Sequence, residues 1–191
     1  MSQAIEKLSR DLKILEAMAD GMDAYLRSEA LFGKMSGVGM PMLTIGGYLL
    51  RQHRLYALRD SLSPEERARL EEAMTLFNRA LVEKVVRFEE KTHQELEARI
   101  RQMEEFLRDL ENKQASGMNY ATAVEPRAMI AALIDKLEMA PYQLNPRIPQ
   151  QVDLLDKNLR RRWRSGEFVW TDGWQPAYPP ERYWWLYGHP A

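Results

Sequence analysis

Apolar residues recur three and four apart over most of this chain, and that spacing predicts helices. From Ser2 to about Phe32, the residues Ile5, Leu8, Leu12, Leu15, Ala19, Met22 and Leu26 form an unbroken heptad seam of the coiled-coil kind. Gly33, Gly37 and Gly39 mark a turn, and Pro41 opens a second helix to about Asp60. The third start is sharper. Ser63 can cap, Pro64 suits the first helical position, and Glu66 completes an S-x-x-E box. No Gly or Pro follows until Gly117, so Pro64 to about Lys113 reads as one helix of about fifty residues and roughly 75 Å. Leu70, Met74, Phe77, Leu81, Lys84 and Phe88 trace its seam, with Lys84 the polar exception, and Leu96, Ile100, Met103, Leu107 and Leu110 resume it. Between them, Phe88, Thr92, Leu96 and Ile100 run four apart, a stutter that relaxes a left-handed supercoil.

Beyond the long helix the pattern shortens. Glu125-Pro126 opens a helix to about Met139 with Met129, Ile130, Leu133, Ile134 and Leu137 as its apolar stripe. Pro141, Pro146 and Pro149 mark an extended linker. A fifth helix runs from Pro149 or Gln150 to about Arg164, with Val152, Leu155, Leu159 and Trp163 at helical spacing. After Ser165-Gly166 the chain changes character. Trp163, Trp170, Trp174, Trp184 and Trp185 are all of its tryptophans, and Pro176, Pro179, Pro180 and Pro190 forbid a continuous helix among them. Glu167 to Thr171 suits a short strand or plain extended chain. This tail is expected to lie across the bundle and bury its rings, with Trp170, Trp174, Trp184 and Trp185 docking on their own chain or on a partner.

Composition changes this picture little. With 45% hydrophobic and 29% charged residues, the 191-residue chain can build a core. A formal net charge of -1 gives no global attraction to nucleic acid or anionic membranes. The absence of cysteine excludes disulfides and thiol chemistry and suits a cytoplasmic protein. No secretory signal is expected from the first residues. Met35 to Leu50 carries no charge, but it is diluted by glycine and shorter than the roughly 20 apolar residues of a membrane span. A helix buried on most of its surface is the expectation, with Gly46 and Gly47 allowing close approach.

Candidate chemistry is sparse. Glu90-x-x-His93 resembles half of a di-iron bundle site, but that site needs the pair twice, and neither His53 nor His189 repeats it. No metal or cofactor is expected. The glycines at 33–39 lack the Lys-Ser/Thr of a phosphate loop. Glu65–Arg69, Glu83–Arg87, Glu95–Arg99, Glu97–Arg101 and Glu104–Arg108 place Glu four residues before Arg, which reads as an exposed, paired face without catalytic carboxylates. Lys157, Arg160, Arg161, Arg162 and Arg164 surround Trp163 and could grip an anion or a phosphate backbone, or simply end a helix.

The expected fold is therefore all-α: an antiparallel helical bundle with one very long coiled-coil helix and an irregular aromatic, proline-containing C-terminal tail. Residues 1–140 would form the bundle and 141–191 the terminal helix and aromatic extension. The expected function is that of a non-enzymatic scaffold or assembly protein. It would self-associate, as a dimer first of all, through the strip Leu96, Ile100, Met103, Leu107 and Leu110, which by its length no single short helix is expected to cover. The alternative is a nucleic-acid-associated protein acting through 157–164. No membrane contact is expected.

Overall fold

The computed structural model describes residues 3–112 and 119–191. Seven helices and one small hairpin enclose a single core. The helices are α1 (Gln3–Arg27), α2 (Ile45–Ala57), α3 (Pro64–Glu83), α4 (Val85–Glu111), the single turn α5 (Tyr120–Ala123), α6 (Glu125–Leu137) and α7 (Arg147–Arg160). Strands β1 (Trp163–Phe168) and β2 (Tyr187–Pro190) pair antiparallel, Arg164 opposite His189 and Ser165 opposite Gly188, with a register shift between Ser165 and Phe168. Gly188 is required there. Its φ is +138°, and a Cβ would lie 2.1 Å from the Arg164 carbonyl oxygen. The fold is thus mostly helical with a C-terminal hairpin, and the all-α expectation is corrected.

The single long helix is corrected too. Its start is as the sequence reads: Ser63 Oγ accepts from Glu66 N, and Ser63 N donates to the Glu66 carboxylate. Lys84 then leaves helical geometry at φ -136°, ψ 45°, and the longest helix, α4, has 27 residues. The break falls among β-branched Val82, Val85 and Val86, which are weak helix formers. Val82 and Val86 are exposed, so packing does not compensate. Lys84 pairs with Asp23 of α1, and Phe77 meets Phe88 edge-on at 6.1 Å across the bend. The bend lets the two halves serve different partners: α3 lies along α1, whereas α4 packs on α6 and α7. The stop read at Gly117 lies outside the described residues.

No coiled coil results. Leu8, Leu12, Leu15, Ala19, Met22 and Leu26 of the α1 seam are buried, but so are Asp11, Ile14, Met18 and Tyr25. The buried face is wider than a heptad seam because α1 is gripped by α3 on one side and α2 on another. Of the uncharged stretch, Thr44 to Leu50 is entirely buried. No described helix is long and apolar enough to cross a membrane.

Three buried charges hold this packing. Glu95 is fully buried, and its two oxygens accept from Gly46 N at 3.0 and 2.9 Å, placing a carboxylate on the N-terminus of α2. Arg99 neutralises it at 3.1 Å and reaches the Thr44 hydroxyl at 3.3 Å. Gly46 makes this possible, since a Cβ would come within 2.4 Å of Glu95 Oε1. Lys91, 1% exposed, has no carboxylate partner among the described residues. Its ammonium donates to the carbonyls of Tyr25 and Ala30 at the end of α1, at 2.6 and 2.7 Å, and lies 3.8 Å over the Tyr25 ring.

Candidate functional site

Helix α2 carries the polar groups that organise the rest of the molecule. Its first turn carries no acidic residue, and Glu95 supplies the negative charge its dipole favours. Its second half turns three polar residues, Arg51, His53 and Arg54, towards α1, α6 and the C-terminal segment. Arg54 is 4% exposed. Its Nη1 donates to Asp11 Oδ2 of α1 at 2.7 Å, and its Nε donates to the Tyr178 hydroxyl at 3.2 Å. The guanidinium lies 3.4 Å from the centroid of Trp174 and 5.2 Å from that of Trp170. Burial opposes the charge, but Tyr178 and Asp11 outweigh it and hold the Arg54 pKa above its ordinary value. Burial pushes the Tyr178 phenol up to about 12, so it stays a neutral donor and acceptor.

The C-terminal segment therefore closes over α2 as a clasp. Tyr178, Tyr183 and Trp185 are buried, and Trp163, Trp170, Trp174 and Trp184 are partly buried against the same core. Polar tips are anchored as well. Trp170 Nε1 donates to Ala121 O at 2.7 Å, Tyr120 Oη to Trp185 O at 2.7 Å, and Tyr187 Oη to Tyr178 O at 2.7 Å. Arg127 of α6 stacks 3.7 Å over Trp185 and pairs with Asp156 of α7 at 2.8 Å. One core cluster of buried residues runs from Leu8 to Leu186.

An apolar cleft of about 490 Å³ opens where the clasp meets α2, α3 and α6. Leu49, Leu50, Met74, Ala128 and Ala132 line it, and Tyr56 and Met139, about half exposed, stand at its mouth. Four polar groups converge on this wall. His53 Nε2 faces Ala177 O at 2.7 Å, which requires the proton on Nε2. Burial lowers the His53 pKa, so the ring is neutral at pH 7. Tyr183 Oη lies 3.5 Å from the same nitrogen. Lys136 has its pKa lowered by burial and pairs with no carboxylate among the described residues. Neighbouring Asp135 is taken up by Arg182.

The residues singled out by sequence fall elsewhere. Leu96, Ile100, Met103 and Leu107 are buried and Leu110 is partly buried, beneath α6 and α7 of the same chain. The helices that seemed too short to cover this strip cover it together, which removes the premise of self-association through it. The basic cluster is dispersed. Lys157 pairs with Asp153 at 2.7 Å, Arg160 stacks 3.8 Å over Trp184, and Arg162 lies 3.7 Å from Glu111. Arg161 shares a cleft with Glu104 and Glu111, and Arg164 sits in β1. Of the expected Glu-Arg ladder, Glu95–Arg99 pairs in the interior and not on an exposed face, while Arg69 reaches Glu16 of α1 at 2.6 Å. His93 donates from Nδ1 to Glu89 O of its own helix at 2.9 Å, which leaves Nε2 to accept from Asn145 N at 3.0 Å and fasten the linker before α7. Among the described residues no group of three or more potential metal ligands gathers.

Arg54, Asp11, His53 and Lys136 were not singled out. Asp11 carried a signal: it lies beside the seam leucine Leu12 and three residues from Leu8, on the inner side of α1. Arg54 sits four residues after Leu50 on an apolar face, where a cation at an exposed helix end would not. No family model, curated protein or solved structure matches the chain.

Proposed function

We propose that this is a non-enzymatic interaction protein that receives an apolar segment of a protein partner in the cleft between α2, α3 and α6. The observation that carries this reading is the cleft itself, apolar in its lining, with Tyr56 and Met139 left exposed at its mouth. Two methionines in the wall, Met74 and Met139, can repack around different side chains. Ala128 and Ala132, one helical turn apart, keep the α6 side shallow enough for a partner backbone to approach. Lys136 gives the cleft a sign. It is a partly buried cation with no counterion among the described residues, so the partner segment carries an acidic residue beside its apolar anchors.

The test uses a designed amphipathic peptide of Leu, Ala and Glu, and a counterpart with Lys in place of Glu. Both are titrated into the 15N-labelled protein. Shifts at Leu49, Ala132 and Met139 with the acidic peptide, weaker for Lys136→Gln and lost for Ala132→Trp, support the reading. Equal response to both peptides, or binding that survives Ala132→Trp, refutes it.

A further inference from the structure

A second cleft of about 490 Å³ lies between α1, the Gly39–Pro41 loop, α2, the start of α6 and Trp174. Its character is opposite to that of the first. Lys7, Arg10 and Arg51 face it, against Asp11 and Glu125. Asp11 is already engaged by Arg54 at 2.7 Å and stands 3.6 Å from Arg51 Nε. Lys7 and Arg10 pair with no carboxylate among the described residues. Arg10 only reaches the Gly39 carbonyl at 3.4 Å, and Lys7 sits 5.9 Å from the Trp174 centroid.

Two donors beside this cleft lack acceptors. Arg51 directs Nη1 to Gly47 O at 2.9 Å, but its Nε is buried without a hydrogen bond. The same is true of Trp174 Nε1. An orphaned buried donor is costly: Asp11 Oδ1 stands 3.6 Å from Arg51 Nε, beyond hydrogen-bond distance, and Trp174 Nε1 has no acceptor among the described residues. Charge and hydrogen bonding are thus short of the same thing, a group that is negative and accepts only. Glu125 does not provide it. Burial raises its carboxyl pKa, with Arg51 and Arg54 of α2 pulling it back, Asp11 of α1 adding to the rise and Arg99 of α4 opposing it. Its side chain opens to solvent at the cleft and makes no ion pair among the described residues.

We infer that this cleft binds the oxyanion head of a small molecule, a phosphate or a carboxylate, through Arg51 and Arg10, with Lys7 at the mouth. The guanidinium fork of Arg51 suits two oxygens at once once its side chain rotates outward. The volume leaves room for a body beyond the head, lying beside Trp174. Glu125 repels the arriving anion while ionised and stops doing so when it takes up a proton. Where the ligand's own charge stays constant, binding therefore tightens as Glu125 takes up its proton. This inference is independent of the apolar cleft.

The experiment titrates inorganic phosphate and, separately, succinate into the full chain at fixed ionic strength, read by tryptophan fluorescence and thermal melting. A saturable response with an upward melting shift is expected, and the anion that saturates first identifies the head group. The double substitution Lys7→Gln and Arg10→Gln, both on exposed side chains, should leave the unliganded melt unchanged and weaken binding by roughly tenfold. Glu125→Gln should tighten binding at pH 7 and flatten its pH dependence, an outcome that a purely structural Glu125 would not give. A response that chloride reproduces, or one unchanged in the Lys7/Arg10 variant, overturns the proposal.

Discussion

Arg54→Met is the perturbation that most directly tests the clasp. The substitution keeps much of the side-chain volume and deletes the charge. Asp11 would then stay buried, its side chain 10% exposed, with only Arg51 at 3.6 Å as a replacement partner. Removing one member of a buried pair costs about 3–5 kcal/mol. The stack on Trp174 contributes up to about 2 kcal/mol when desolvated, and the Tyr178 hydroxyl loses a charged donor. Arg51 offsets part of the loss, so a net destabilisation of about 3–5 kcal/mol is expected. That is a large share of the roughly 5–15 kcal/mol of an ordinary domain. Urea unfolding followed by both far-ultraviolet circular dichroism and tryptophan fluorescence is the assay, because every tryptophan lies in the segment 163–185. The fluorescence transition should move to lower urea at least as far as the helical one. Asp11→Asn combined with Arg54→Met should be less damaging than the sum of the single changes, since neither charge is left alone. A loss below about 1 kcal/mol for Arg54→Met, or strict additivity in the cycle, would show that the ion pair does not hold the clasp.

Two further perturbations address other buried polar groups. Gly46→Ala drives a Cβ to 2.4 Å from a carboxylate that cannot swing away without releasing the α2 N-terminus, so a loss of roughly 2–4 kcal/mol is expected in urea unfolding. A neutral Gly46→Ala would mean that Glu95 is not held where it is described. Alkaline pH should unfold the protein. Tyr25, Tyr48, Tyr120 and Tyr178 all have pKa values raised by burial, Tyr178 to about 12. Unfolded tyrosine ionises near 10, so the stability these groups contribute is complete below pH 10 and is lost as pH rises towards and beyond 12. Tyrosinate absorbance from these four buried phenols should therefore appear together with loss of helix; their titration near pH 10 in a folded chain would contradict the burial.

The helices were legible because their signals are local. The Ser63–Pro64–Glu66 start carries its own hydrogen bonds, and the apolar stripes of α1, α6 and α7 follow from period alone. What misled was continuity. Nothing between Pro64 and Gly117 forbids a helix, and the bend at Lys84 becomes favourable only because α1 accepts Lys84 through Asp23 while α6 and α7 claim the residues beyond it. A pattern in one segment cannot report that two neighbours want it in different directions. The hairpin was half legible for the same reason: Glu167 to Thr171 suits extended chain, but Trp163 continues the apolar spacing of α7, and only its pairing with Pro190 makes it a strand. The distal strip was read as uncovered by adding helix lengths one at a time, whereas α6 and α7 lie side by side over it.

Charge was the least legible feature. Glu95–Arg99 looks on paper like the other Glu-x-x-x-Arg pairs, yet it is the one drawn inside. What distinguishes it is the partner and not the pair: an uncharged helix start with Gly46 in place, where a carboxylate can sit on two oxygens' worth of hydrogen bonding. The same logic runs through the molecule. Lys91 is tolerable because the end of α1 presents carbonyls, and Arg54 because Asp11 and an aromatic wall converge on it. Each buried charge meets a helix terminus or a counterion from an element distant in sequence, so each fixes a register between elements that apolar packing alone leaves free to slide. Lys136 breaks that rule, because it is partly buried and pairs with no carboxylate among the described residues. An acidic side chain bound there would complete the pattern the other buried charges set, and the acidic-peptide titration tests whether one binds.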